Sequence, residues 1–330
     1  MEFSFAVLNP GGRDQTRIFA QGAGSPTDPG HPPVNYHGYA ACCCGAFYRR
    51  CGQIPASVKG VLVLLRRSGL GDALRAVRSL RRRGLRVLIS WKESGLPQVA
   101  RALERPRMAS RFRAVCAEAD GFVSSTPDLV PLYRSAGCLH GDFIPTPYPV
   151  EEALWDFSIP ISERVGIFVG TREFAIPSRN HFLALSSLIR FDHPITVINT
   201  EGWTGARLLR SISPDLRVIS GKLPYPDYLR LMARHRIVFQ LDRSAVPGQV
   251  AGDALLCGLP CVGGDGAIDR LVFPELCGMS LSVQAAINTA KRLLADDQYY
   301  TATLTRAREL SLETISFGRV NEQLRKQFSL

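Results

Sequence analysis

The feature that most constrains this chain is an alternation of short apolar runs with longer helical patterns, sustained over most of its length. Apolar runs bounded by turn residues read as strands buried on both faces, and strands alternating with amphipathic helices build βαβ units around parallel sheets. In the first half, 3–8, 61–65, 86–90 and 121–124 read as strands, and 72–83, 109–118 and 128–136 as helices. The turn Asn9-Pro10-Gly11-Gly12 closes the first strand, and 21–38, rich in Gly, Pro and Asp, reads as loop. The proline-rich 144–149 (IPTPYP) reads as a linker, so a first domain is expected over 1–150. The pattern then restarts. Strands are expected at 165–169, 195–199, 216–219, 237–241 and 261–263. Helices are expected at 180–190, 203–212, 226–234 and 249–257, then 282–295 and 297–328. This makes a second α/β domain of 151–330, whose last helix is long enough to pack back on the first. A chain of 330 residues accommodates two domains comfortably.

Composition closes off several classes. Hydrophobic residues make up 45% of the chain, so a packed core is expected. No apolar run is long enough to span a bilayer, and MEFSFAVLNPGG lacks a basic n-region and a small-residue cleavage site. The expected location is the cytoplasm. Nine cysteines, an odd number, do not read as a disulfide framework. Cys42, Cys43, Cys44 and Cys51 lie near His31 and His37, but no paired CxxC knuckles exist, so no metal site is expected.

The net charge of +11 is concentrated. From Lys59 to Arg113 there are fifteen Lys and Arg against Asp72, Glu93 and Glu104, leaving the remainder near −1. Such a segment suits an anionic partner, whether membrane surface, phosphorylated acceptor or nucleic acid, or is an arginine-rich solvated face. The basic run carries Trp91 and Phe112 nearly alone, without the interleaved aromatics of a nucleic-acid platform.

The most informative stretch is 241–264, LDRSAVPGQVAGDALLCGLPCVGG. A strand ends near Leu241, a loop carries Gly248, and a helix starts at Gln249 and Val250. Unsatisfied N–H groups and the aligned dipole at such a start bind phosphate. Gly248 permits close approach, and Asp253, one turn in, suits ribose hydroxyls.

Here the sequence resembles GT-B glycosyltransferases, particularly the retaining glycosyltransferase family 4, whose donor motif reads roughly S-x-x-E-G-F-G-L-x-x-x-E-A-x-A-C-G-x-P-V-V. Gly248 falls on the last glycine of E-G-F-G, Asp253 on the second glutamate, and Ala254, Cys257, Gly258, Pro260 and Val262 on the remainder. The first glutamate, which in the family touches the donor sugar, falls on Ala245, a departure that bears on catalysis. VGIFVGTR (165–172) resembles the family strand followed by G-R, and Arg179-Asn180 falls near its K-G. The resemblance thus implies that Gly170, Arg172 and Arg179 meet the donor diphosphate, with Arg172 stabilising the leaving group.

The first half fits more loosely. RVLISWKE (86–93) resembles the family strand ending V-T-x-H-E, which implies Lys92 and Glu93 at the reaction centre; ADGFVSS (119–125) resembles A-D-x-V-I-x-x-S. Gly11 and Gly12 stand where the family has glycines shaping the interdomain cleft. The resemblance implies two Rossmann-like domains facing across that cleft. It further implies a metal-independent, retaining transfer from a nucleotide sugar, with no cofactor, to a glycan or lipid-linked acceptor of polysaccharide biosynthesis, with peripheral attachment to the inner membrane. Two alternatives remain open: a GT-B-like protein that binds a nucleotide sugar or polyanion without turnover, and a nucleic-acid glycosyltransferase.

Overall fold

The computed structural model describes residues 4–92 and 95–328. The chain divides into two compact units. One holds the residues up to Glu152 and resumes at Thr314; the other is Ala153–Glu313.

The first unit runs β1 (Phe5–Leu8), β2 (Arg17–Ile18), α1 (Asn35–Cys42), β3 (Ala46–Tyr48), β4 (Gly60–Leu65), α2 (Leu70–Arg82) and β5 (Arg86–Trp91). It continues with α3 (Leu96–Leu103), α4 (Pro106–Glu118), β6 (Gly121–Ser124), α5 (Val130–Ser135) and β7 (Gly141–Phe143). The sheet order is β2-β3-β1-β4-β5-β6-β7. All neighbours are parallel except the edge pair β2–β3. Every residue of β1 and β4 is buried, as strands covered on both faces require. Val63 pairs with Leu8 on one side and Ile89 on the other. Helix α2 buries Ala73, Ala76, Val77 and Leu80, a one-face spacing that turns its arginines outward.

The second unit runs β8 (Ile167–Val169), α6 (His181–Leu188), β9 (Ile195–Asn199), α7 (Gly202–Ile212), β10 (Arg217–Ser220) and α8 (Tyr225–Ala233). Then come β11 (Ile237–Phe239), α9 (Gln249–Leu256), β12 (Cys261–Val262), α10 (Ala267–Val272), α11 (Val283–Ala295) and α12 (Asp297–Thr314). Its sheet is wholly parallel in the order β10-β9-β8-β11-β12. The last helix, α13 (Phe317–Phe328), belongs to the first unit.

Three sequence expectations change. The stretch read as loop over 21–38 ends inside α1, which the Gly- and Pro-rich composition hid. The expected linker is no loose tether: Ile144, Thr146, Tyr148 and Val150 are buried, and the Tyr39 hydroxyl donates to the Ile144 carbonyl at 2.5 Å. Proline excludes these residues from helix and sheet, but not from the core. The single helix expected over 297–328 breaks between α12 and α13, where the Ile315 carbonyl accepts from the Tyr148 amide at 2.8 Å.

In each sheet the strand order reverses beside the first strand of the unit, between β1 and β4 and between β8 and β11. Open parallel sheets bind ligands beyond the carboxyl ends of the strands at such switch points. The topology therefore selects two loop pairs, after β1 and β4 and after β8 and β11.

Candidate functional site

In the second unit these loops are 170–180 and 240–248. They meet through a glycine: a Cβ on Gly170 would lie 2.5 Å from Val250 Cγ1, so only glycine lets the end of β8 close on the tip of α9. That tip has Gly248 as N-cap at φ 94, with no side-chain cap and no acid in the first turn. Left-handed backbone there suits glycine. The uncapped start, carrying Gln249 and Val250, keeps the positive end of the helix dipole available to an anion.

Asp253 is buried, and its carboxylate accepts from the Tyr225 hydroxyl at 2.5 Å and also from that of Tyr228, both on α8. Burial first, then the Asp253 charge, push the Tyr228 phenol well above its usual range, against an opposing pull from Arg172. Arg172, Tyr228 and Asp253 therefore share one neighbourhood. Arg172 is exposed, with its carbonyl accepting from Thr200 Oγ1 at 3.4 Å.

Arg179 is placed differently. Its guanidinium pairs with Asp242, itself 2% exposed, and with Glu173 at 3.3 Å. It locks the two loops together, while Arg172 is the cation open to solvent. Asp242 also accepts from the Ser244 amide at 2.8 Å, and the Ser178 and Ser244 hydroxyls meet at 2.8 Å.

Two further carboxylates lie beneath this loop. Asp265 accepts from the Ala245 amide at 3.2 Å, and Asp269 from Gln240 Nε2 at 3.1 Å. Burial, helped by the charges of Asp242 and Asp265, pushes the Asp269 carboxyl up to about 7. Ala245 sits at φ 48, a left-handed conformation unusual for a residue with a Cβ. The sequence did not single out Asp242, Asp265 or Asp269; a trace of the last two lies in the dense Gly-Asp punctuation of 263–269. His181, at the start of α6, bonds Thr171 Oγ1 through Nδ1 at 3.0 Å, and burial lowers it to about 4.

In the first unit, the loop after β1 carries Gly11 at φ 67 and Gly12, where a Cβ would lie 2.1 Å from Asn9 Nδ2. Buried Asn9 donates to Asp14, and Lys92 Nζ reaches the same carboxylate at 3.1 Å. Burial raises Asp14, but the Lys92 charge and the hydrogen bonds from Lys92 and Asn9 outweigh it, so the carboxyl lies below its usual range. Lys92 is thus half of an ion pair with a residue the sequence did not flag. Glu93 lies outside the described residues. A cavity of about 520 Å³ lined by Arg81, Gly84, Leu85, Arg86, Asp120 and His140 opens at the other end of this sheet, where β5, β6 and β7 begin. Among the described residues no three His, Cys, Asp or Glu side chains form a metal-binding group, and all nine cysteines are free thiols.

No family model matches the sequence, and no curated protein matches it. Solved structures do. The chain is similar to Anabaena HepE in complex with UDP and glucose, with a TM-score of 0.62 at 12% identity over 83% of this chain and 78% of that one. It is similar to the trehalose-6-phosphate synthase OtsA of E. coli, with a TM-score of 0.59 at 11% identity over 84% and 74%. It is also similar to an α-glucosyltransferase in complex with UDP and a 13-mer DNA containing an HMU base, with a TM-score of 0.61 at 9% identity over 87% and 85%. The fold is GT-B. Within a GT-B chain the loop pair after β8 and β11 belongs to the second unit, and the pair after β1 and β4 to the first.

Proposed function

We propose that this GT-B chain is a glycosyltransferase that takes a sugar from a nucleotide-sugar donor held by its second unit. The carrying observation is the uncapped, glycine-started tip of α9 closed against Gly170 at the β8–β11 switch point, beside Arg172 and Asp253. A diphosphate would lie over the α9 amides with Arg172 against it, and Arg179, fixed by Asp242, would brace the same loop. A cation and helix amides stabilise a departing nucleoside diphosphate as its charge develops, which needs no metal or cofactor. The likeness to HepE and OtsA supports this reading, since HepE is described with UDP-glucose and OtsA with UDP-2-fluoro glucose. We read the transfer as retaining, as the family 4 resemblance implies. The first unit, with Gly11, Gly12, Lys92 and Glu93, would hold the acceptor, a glycan or lipid-linked molecule at the cytoplasmic face of a membrane.

Titration calorimetry with UDP, GDP and ADP, alongside turnover of their sugars, tests the reading. We expect one nucleoside diphosphate to bind. Arg172→Ala should weaken it by roughly 10- to 100-fold, the range of a charge-assisted contact. Asp253→Ala should weaken the nucleoside but not inorganic pyrophosphate. Failure of every nucleoside diphosphate to bind would remove the donor site. Ala245 favours a second reading: with no carboxylate at that position, a nucleotide sugar is bound and not turned over. Tight binding without transfer across a broad acceptor set would select it. Nucleic acid is not proposed as acceptor, because the aromatics of the basic run, Trp91 and Phe112, are both buried.

A further inference from the structure

The arginines of α2 are largely committed within the fold. Arg75 pairs with Asp72 and Arg78 with Glu118 at 2.9 Å, and just past the helix Arg83 donates to the carbonyls of Cys51 and Ile54. Arg86, at the start of β5, is placed differently. Its Nε is buried without a hydrogen-bond partner, and nothing among the described residues engages the rest of its guanidinium. A buried donor left unpaired costs free energy, so each one calls for a partner from elsewhere. Arg86 lines the cavity of about 520 Å³ at the amino ends of β5, β6 and β7.

Three adjacent strands each deliver one polar side chain to that cavity. Arg86 opens β5, Asp120 immediately precedes β6, and His140 immediately precedes β7. Asp120 is already engaged: it pairs with Arg81 at 3.1 Å and accepts from the Val87 amide at 2.8 Å. Helix carbonyls at this end, which would repel an anion, are engaged too. Arg81 Nη1 donates to the Glu118 carbonyl at 2.9 Å, and the Gly84 amide donates to that of Arg81 at 2.8 Å. Since Arg81 and Asp120 cancel, Arg86 leaves the lining with one positive charge unneutralised, and exposed His140 adds a ring able to donate. A guanidinium meets a phosphate face with two parallel donors. A tetrahedral phosphate also accepts from several directions, as donors from β5 and β7, on either side of β6, require. The Asp120 oxygens keep lone pairs for a hydroxyl.

We infer that this cavity is a binding site for a small phosphate monoester carrying hydroxyl groups, a free sugar phosphate in chemical class. It lies at the end of the sheet opposite the loops after β1 and β4, so it stands or falls apart from the proposed sugar transfer. The test is titration calorimetry of the full chain with ribose 5-phosphate, inorganic phosphate and ribose. Ribose 5-phosphate should bind, inorganic phosphate more weakly, and ribose not at all. Arg86→Gln should weaken ribose 5-phosphate by roughly 10- to 100-fold, the range of a charge-assisted hydrogen bond, and His140→Ala by less. Lys92→Gln and Arg172→Ala, which remove cations at the carboxyl ends of the two sheets, should leave that affinity unchanged. Arg86→Gln should also unfold in urea at or above the parent's midpoint, because it removes an unpaired buried donor. No binding of either phosphate, binding of ribose as tight as that of its phosphate, or a loss in Lys92→Gln or Arg172→Ala in place of Arg86→Gln would overturn the proposal. A lower urea midpoint for Arg86→Gln would mean that the guanidinium braces the fold, and would overturn it as well.

Discussion

At the scale of single residues, the two arginines of the candidate donor site differ in what their loss would do. Arg172 is exposed, so replacing it should touch ligand binding and leave folding nearly intact. Arg179 neutralises Asp242, which has nowhere to find water. Removing one partner of a buried pair leaves an uncompensated charge and costs about 3–5 kcal/mol. The pair is 18% and 2% exposed, which places Arg179→Ala toward the lower end of that range. Urea unfolding should therefore show Arg179→Ala strongly destabilised and Arg172→Ala close to the parent. Arg179→Ala with Asp242→Asn should recover part of the loss, and no recovery would mean that Arg179 stabilises the loop by something other than this charge. The sequence reveals Gly248, because a glycine before a helix start is a local signal. It hides the Arg179–Asp242 pair, because sixty-three positions separate the partners and nothing local in either segment announces the other.

Among the elements, α1 and α13 show where periodicity stops being informative. Tyr36 through Cys42 of α1 are all buried, so the helix has no polar stripe from which a helical repeat can be read. By contrast, α2 keeps apolar and arginine faces apart, and it is legible. The break before α13 has a local mark, since Ser316 Oγ accepts from the Arg319 amide at 3.3 Å as a helix cap does. What the helix then does is not local. Phe328 is buried edge-on against Phe5 of β1 at 5.3 Å, and a Cβ on Gly60 of β4 would lie 2.8 Å from its ring. The last turn of α13 thus seals the central strands of the first unit. Truncation of a buried Phe to Ala costs about 3–5 kcal/mol. Phe328→Ala should lower the unfolding midpoint of the first unit and leave that of the second in place. A shift of both, or of neither, would contradict the packing described.

For the whole molecule, the titrating core groups set how stability depends on pH, and they pull in opposite directions. His31 and His37 in the first unit and His181 and His235 in the second all lie below the usual imidazole range, chiefly through burial. His37, burdened also by the charge of His31, falls to about 3, and His181 falls to about 4. Each takes up a proton less readily in the fold than in the unfolded chain, where a histidine protonates at its ordinary value of 6.5. Stability is therefore full above that pH and lost on acidification, at about 1.4 kcal/mol per pH unit for each such group. Asp269 works the other way. It holds its proton up to about 7 in the fold, whereas the unfolded carboxyl ionises from its ordinary value of 3.8, so its contribution falls as pH rises between those values and is level above them. Asp265 is raised in the same way by burial, yet four histidines against these two carboxyls make acid the destabilising direction overall. Thermal unfolding followed from pH 4 to 8 should show both units losing stability below pH 6.5. His37→Gln, which can keep the bond to the Gln15 carbonyl, should flatten that loss in the first unit alone. Asp269→Asn should raise the stability of the second unit at neutral pH and make its acid loss steeper, because the opposing carboxyl is gone. An Asp269→Asn variant with a shallower acid limb would show that the fold holds the carboxyl beneath Gly248 below its ordinary range, and the account of burial raising it would fall.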